Sequence, residues 1–172
     1  MITQIRLANS QDIEALANIS SKTFFETYAA FNTAENMNQH LLEKYNHNQI
    51  SKEINDSKNS FLLAFFFDTL VGYVKLTENT KPELTNKKAL EVERIYVLKT
   101  YQKRKIGEQL MQKCLEIAQE KAFDVIWLGV WERNPKAIEF YNKQGFEMFG
   151  QHIFWLGKDA QFDWLMKKDL KN

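Results

Sequence analysis

Leu90-Glu91-Val92-Glu93-Arg94-Ile95-Tyr96-Val97, followed closely by Tyr101-Gln102-Lys103-Arg104-Lys105-Ile106-Gly107, is the most informative stretch of the chain. It reads as a strand, a short basic turn and the opening of a helix. From Ile106 to Glu120 the residues Ile106, Leu110, Met111, Cys114, Leu115, Ile117 and Ala118 form one apolar helical face. Lys103, Arg104 and Lys105 therefore stand where a helix begins. The first N–H groups of a helix lack internal partners, and the helix dipole adds positive charge there. That combination suits a phosphate held by backbone and assisted by basic side chains. A solvated surface turn has the same composition. No Gly-Lys-Ser/Thr ending is present, so a nucleotide P-loop is excluded.

Upstream, Ile2 to Leu7 reads as a short strand. Ile13, Leu16, Ala17, Ile19, Ser20 and Phe24 then mark an amphipathic helix, with Ser10 or Asp12 as candidate cap. Thr33 to Tyr45 reads as a second helix, and Gln49 to Asp56 continues it after a break near Asn46. Phe61 to Phe67 and Leu70 to Leu76 form a hairpin signal around Asp68-Thr69, and 79–88 is a polar loop before the strand Leu90 to Leu98. Downstream, Asp124 to Trp131 is a buried strand. Asn134-Pro135 opens a helix that Gly145 closes, and strands near Glu147 to Leu156 and Gln161 to Lys168 finish the chain. Three strands in succession followed by alternation predict an α/β fold with one mixed sheet covered by helices.

The chain has 172 residues, with 23 Lys+Arg against 22 Asp+Glu and a formal charge of +1. One domain, 1–172, is the expectation. With 44% hydrophobic residues and 13% aromatic, the composition excludes disorder and collagen-like repeats. The single cysteine, Cys114, cannot make an internal disulfide and reads as a small hydrophobe on the helix face. Near-zero charge gives no global pull toward nucleic acid or anionic membrane. No signal peptide is read at the N-terminus, and the longest apolar run, Phe61 to Phe67, is far too short to span a bilayer. The expected location is the cytoplasm. His40, His47 and His152 show no metal-ligand spacing, so no metal is expected. The aromatics between Phe146 and Trp164 read as core or as a dimer contact, which leaves room for a homodimer.

A second segment, Asn134-Pro135-Lys136-Ala137-Ile138-Glu139-Phe140-Tyr141-Asn142-Lys143-Gln144-Gly145-Phe146, places Ala137, Ile138 and Tyr141 on one helix face. A tyrosine there can also be a core ring with a satisfied hydroxyl. Together the two segments resemble the GNAT superfamily of N-acetyltransferases. The resemblance covers nearly the whole chain in element order and implies the family's mixed twisted sheet of about seven strands flanked by helices. The family's pyrophosphate loop, Gln/Arg-x-x-Gly-x-Gly/Ala, stands here as Gln102-Lys103-Arg104-Lys105-Ile106-Gly107, with Lys105 in the place of the first glycine. Glycine tolerates positive φ, which an L-residue adopts at a cost of roughly 1–2 kcal/mol. A lysine side chain compensates in part by meeting a phosphate as a point charge. Glu91 to Val97, Trp127-Leu128-Gly129-Val130-Trp131-Glu132 and Phe162-Asp163-Trp164-Leu165-Met166 look like the bacterial spermidine/spermine N-acetyltransferases of the PaiA type.

The resemblance implies acetyl transfer from acetyl-CoA to an amine by direct attack, with a polyamine such as spermidine or spermine as the preferred acceptor and another small-molecule or protein amine as the alternative. The backbone of Ile95, Tyr96 and Val97 would pair with the pantetheine arm, and the amides of Gln102 to Gly107 would hold the pyrophosphate. Asn134, Ala137 and Tyr141 would meet the cofactor from the next helix. The strands containing Glu93 to Val97 and Trp127 to Trp131 should splay apart to admit it. Tyr141 is the candidate general acid for the departing thiolate, because a phenol near pKa about 10 and a thiol near about 8.5 are closely matched. An alkylammonium, near about 10.4, needs a base. Glu93 is the choice and Glu91, on the same strand face, the rival. Both could also serve as simple ion-pair partners. Glu26, Glu35, Glu91 and Asp159 are carboxylates available to a polycationic acceptor, Glu26 and Glu91 foremost. Two other readings compete: an acyl-CoA-binding sensor that has lost turnover, and a nucleic-acid module using Lys103 to Lys105. The charge balance opposes the second.

Overall fold

The strand signals resolve into a single sheet. The structure, a computed structural model, describes residues 3–170, so Ile2 of the first strand reading lies outside the described residues. The elements run β1 (Thr3–Leu7), α1 (Ile13–Tyr28), α2 (Ala34–Lys44), α3 (His47–Asn55), β2 (Asn59–Phe66), β3 (Thr69–Glu78), β4 (Ala89–Val97), α4 (Ile106–Glu120), β5 (Val125–Trp131), α5 (Pro135–Lys143), β6 (Glu147–Leu156) and β7 (Asp159–Asp169). The seven strands lie in the order β1-β2-β3-β4-β5-β7-β6. β4 and β5 are parallel, with α4 as their crossover, and the other neighbours are antiparallel. This is the α/β mixed sheet expected.

Both faces of the sheet are covered, which explains why Phe61 to Phe67 is a continuous apolar run. Leu62 and Ala64 join Leu110, Met111, Ile126 and Leu128 on the α4 side. Phe61 and Leu63 join Leu16, Phe24, Met37 and Ile50 beneath α1, α2 and α3. Each such aliphatic or ring is worth about 1.5–3 kcal/mol when fully buried. Cys114 is fully buried in the α4 core, and burial pushes its thiol up to about 12, so it is an inert hydrophobe. His40 is likewise core, stacked on Phe24 at 4.4 Å. Trp155 (60% exposed) and Phe162 (42%) depart from the core reading of the C-terminal aromatics and face outward.

The helix starts carry two corrections. Asn9 caps the short 3-10 turn of Ser10–Asp12 that leads into α1, accepting from the Gln11 N–H, and Asp12, not Ser10, stands at the cap position of α1 but makes no side-chain cap bond there. Asp12 is held back because its carboxylate accepts from Arg6 (2.7 and 2.8 Å) and from the Asn9 N–H. α3 starts at His47 rather than Gln49, because Asn46 accepts from the Gln49 N–H and restarts the helix there. Thr33 caps α2, and Asn134 caps α5 by accepting from the Ala137 N–H.

Candidate active site

β4 and β5 pair at Ala89 with Val125, Leu90 with Ile126 and Glu91 with Trp127, and there the pairing ends. A bulge accompanies the parting. On the β3 side Lys75 faces Arg94 and Leu76 faces Val92, so Glu93 has no cross-strand partner. Val92 and Ile95 can then both pack toward α4, with Glu93 and Arg94 between them. Beyond the bulge, Ile95, Tyr96 and Val97 pair with β3 on one side, while among the described residues no strand pairs with their other side. The splay expected of these strands is therefore present, leaving one edge of Ile95 to Val97 that no strand of the described residues takes up.

Buried charge holds the bulge. Arg94 donates to both oxygens of Glu53 on α3 at 2.7 and 2.9 Å. Lys75, only 5% exposed, pairs with Glu53 at 3.3 Å and with Glu93 at 2.8 Å. Arg94 adds a contact to Glu93 at 3.2 Å. Glu93 is thus occupied by two cations. Glu91 differs: its carboxylate accepts from Asn79 Nδ2 at 2.7 Å, and it sits beside the Trp127 indole, whose N–H donates to the Asn79 carbonyl at 2.9 Å. Burial raises the Glu91 carboxyl above its ordinary value, the Asn79 bond opposes this, and the nearby Glu93 charge reinforces it.

At the mouth of the split lies the basic turn. Lys103 and Lys105 both take positive φ, 64° and 62°, and Lys105 occupies the left-handed position that directly precedes α4. Lysine adopts the geometry that the family's glycine would supply, at about 1–2 kcal/mol of backbone strain. Gln102, Lys103, Arg104 and Lys105 are exposed, Ile106 is buried, and Gln102 Nε2 donates to the Val97 carbonyl at 3.3 Å. Arg104 stacks over Phe66 at 5.3 Å, which ties down its guanidinium. Gly107 lies against α5: a Cβ there would be 3.8 Å from the Phe140 ring. The two segments singled out in the sequence are therefore neighbours, and Tyr141 on α5 is 8% exposed in the α4-side core. Burial holds its phenol above the ordinary value, so it stays protonated at neutral pH.

The opposite face of the split is built from scattered residues. Trp127, Gly129 and Trp131 share one face of β5 by the period of two. Trp131 packs on Tyr28 at 5.5 Å and on the exposed Phe31 at 5.2 Å. Asp163 on β7 is opposite Trp131, and His152 on β6 is opposite Asp163, with Nε2 3.5 Å from the carboxylate. A Cβ at Gly129 would lie 3.3 Å from that carboxylate and 3.5 Å from His152 Cε1, so the missing side chain leaves an opening onto both. A shallow groove of about 420 Å3 nearby is lined by Phe31, Asn32, Thr33, Asn36, Lys158 and Asp159. Glu26 lies elsewhere: its carboxylate accepts from the Lys99 N–H at 2.8 Å, which ties α1 to the segment leading into the basic turn. Glu35 is exposed in the first turn of α2. His152, Asp163, Tyr28 and Trp131 have no role that the sequence alone reveals. The one available signal is arithmetic: 152 and 163 are equidistant from the Gly157-Lys158 turn.

In this sheet a parallel strand pair parts beyond Glu91 and Trp127, with a basic helix start at its mouth. The chain belongs to the acetyltransferase (GNAT) family, whose pattern matches residues 13–146. It is 35% identical to an uncharacterized N-acetyltransferase of Lactobacillus delbrueckii subsp. lactis over 94% of both chains. It is 29% identical to a spermidine N(1)-acetyltransferase of Thermoplasma acidophilum over 86% of this chain and 90% of that one. The crystal structure of PaiA N-acetyltransferase from Thermoplasma acidophilum in complex with coenzyme A is similar at a TM-score of 0.81 and 26% identity, covering 98% and 99% of the two chains. The protein is an N-acetyltransferase that uses acetyl-CoA as cosubstrate. Among the described residues no helix is long and apolar enough to cross a membrane.

Proposed function

We propose that the acceptor is a polyamine such as spermidine or spermine, acetylated in the cytoplasm at the apex of the β4–β5 split. The observation that carries this reading is the pairing that ends at Glu91 and Trp127, with acidic and aromatic side chains gathered on the face opposite α4. Acetyl-CoA supplies an activated acetyl carbonyl. The free edge of Ile95, Tyr96 and Val97 positions the pantetheine arm, and an N–H there faces the thioester oxygen, the logic of an oxyanion hole. The amides of Gln102 to Gly107, with Lys103 and Lys105 beside them, hold the pyrophosphate. Asn134 and Ala137 bound the cofactor from the start of α5.

Tyr141 gives its proton to the departing sulfur. The base is Glu91 rather than Glu93. Among the described residues the Glu91 carboxylate accepts from the Asn79 amide with no cation in contact, and its partial burial favours taking up a proton. Glu93 is engaged as the counter-ion of Lys75 and Arg94. Tyr28, Phe31 and Trp131 offer ring faces to alkylammonium groups of a long acceptor, worth about 0.5–2 kcal/mol each. The spermidine acetyltransferase among the relatives supports the same acceptor class. The test is CoA-thiol release with acetyl-CoA and spermidine, spermine, a lysine peptide or an aminoglycoside. Polyamines should give kcat/KM at least tenfold above the others; equal or better turnover of a monoamine or peptide overturns the acceptor reading.

A further inference from the structure

We infer that Asn79, where the chain leaves β3 for the loop to β4, is a positioning residue for the reaction, holding the Glu91 carboxylate at the point where β4 and β5 part. This rests on the proposed reading of Glu91 as the base. The side chain and main chain of Asn79 do separate jobs. Its Nδ2 donates to Glu91 Oε2 at 2.7 Å, and its carbonyl accepts from the Trp127 indole N–H at 2.9 Å. Glu91 and Trp127 are the last residue pair of the two strands, so one residue touches both sides of the parting. Trp127 is fully buried, and a buried indole N–H needs a partner. That bond fixes the Asn79 backbone. The same loop grips the ring further along, with the Lys81 ammonium 5.2 Å from the ring centre and Leu84 in the small core that Trp127 shares with Ala89 and Val125. The amide therefore reaches Glu91 from an anchored base.

A base for an ammonium must be charged when the acceptor arrives and must present one oxygen. Burial and the Glu93 charge both push Glu91 toward its neutral form, and the Asn79 bond opposes them. The charged or titratable groups that act on Glu91 through space are Glu93 on β4, Lys81 on the loop and His152 on β6. Its partners in register, Thr77 on β3 and Trp127 on β5, carry no charge. Among the described residues Asn79 Nδ2 is the one donor bonded to this carboxylate. An amide favours the charged form without neutralising it, which a lysine or arginine in the same place would do. With Oε2 pinned, Oε1 makes no hydrogen bond among the described residues and is not sealed from solvent, so it is the oxygen left to take the proton. The N–H bond of the ammonium breaks, the O–H bond forms there, and the freed lone pair is available to the acetyl carbonyl.

The test compares the pH profile of kcat/KM for wild type, Asn79→Ala, Asn79→Asp and Glu91→Gln, using whichever amine of the panel the wild type acetylates best. Asn79→Ala keeps the carbonyl bonded to Trp127 and removes only the donor to Glu91. The acid limb of the profile reports the base of the free enzyme. In Asn79→Ala it should move to higher pH by about half a unit or more, because a carboxylate that loses a donor is easier to protonate. Asn79→Asp should move it further, since a second carboxylate replaces the donor. CoA affinity, measured by calorimetry, should stay within about twofold in both variants. Glu91→Gln should lose the limb. Acid limbs that coincide in wild type and both Asn79 variants, with the limb lost in Glu91→Gln, overturn the role of Asn79 and leave Glu91 as the base. A limb that persists in Glu91→Gln overturns both. A deficit in Asn79→Ala that is the same at every pH assigns Asn79 to structure and overturns the positioning role equally.

Discussion

The two sides of the β4–β5 split are made differently. The proposed cofactor side comes from two short continuous segments, Gln102 to Gly107 and Asn134 to Phe146, and it offers backbone, a helix start and one buried phenol. The opposite face, the proposed acceptor side, draws Glu91, Gly129, His152 and Asp163 from four strands, with Tyr28, Phe31 and Trp131 around them. A cosubstrate with a fixed polar arm can be held by local backbone geometry. An acceptor is distinguished by side chains, and those can be collected from anywhere the fold brings together. The two sides share one wall, the bulged strand β4, so they are separable only while that wall stays rigid.

The largest expected effect comes from breaking that wall. Glu53→Ala leaves Lys75 and Arg94 buried without their shared carboxylate, which should cost about 3–5 kcal/mol in urea unfolding and weaken both CoA binding and turnover. The acid side of the stability curve carries the same information. Burial works to raise the Glu53 carboxyl, but the Arg94 fork, Gln49 and Lys75 outweigh it and hold it below its ordinary 4.5. A depressed folded value means this stabilisation is complete above about pH 4.5 and is lost as pH falls through the folded value. Glu53→Gln should therefore flatten the curve below that pH; an unchanged acid limb would remove Glu53 from the account.

Next in size is Tyr141→Phe. It should lower kcat by about 100-fold or more while CoA affinity stays within about twofold, because only the hydroxyl is removed from a ring that remains packed. Unchanged kcat would take Tyr141 out of the chemistry. Glu91→Gln against Glu93→Gln sharpens the acceptor side alone. The first should lower kcat/KM for the amine by about tenfold or more, since a general base is removed. The second should act mainly on stability, through its contacts with Lys75 and Arg94. The reverse order would return the base role to Glu93. Smallest is Lys105→Gly, confined to the cofactor side. Relief of about 1–2 kcal/mol of left-handed strain is offset in part by glycine's greater entropy loss of about 0.5–1 kcal/mol. Stability should rise slightly, and CoA binding should weaken a few-fold with a shallower salt dependence, as read by titration at two salt concentrations.

Local physics makes much of this protein legible in its residue order. Residues 106–120 declare α4 by apolar period, and Asn134-Pro135 with Gly145 at φ 84° bracket α5 by capping chemistry. The continuous run at 61–67 signals a strand, though which residue faces which core depends on helices far away in sequence. Even the strain at Lys105 follows from a lysine standing where a helix start calls for glycine. Ser10 and Asp12 are both capping residue types, but Arg6 draws Asp12 away, a contact that needs β1 beside the helix start. Period two places Glu93 with Glu91 and makes it a plausible base; the bulge and Lys75, which engage it, are cross-strand facts.

The order and kind of the elements, the basic turn and the tyrosine of α5 are thus properties of the chain read along its length, because hydrogen bonding within a few residues and apolar periodicity act over short range. Only folding in three dimensions selects which carboxylate is left free and pairs His152 with Asp163 beneath Gly129. Burial and Coulomb interactions act through space, and strand register, not chain spacing, sets who meets whom.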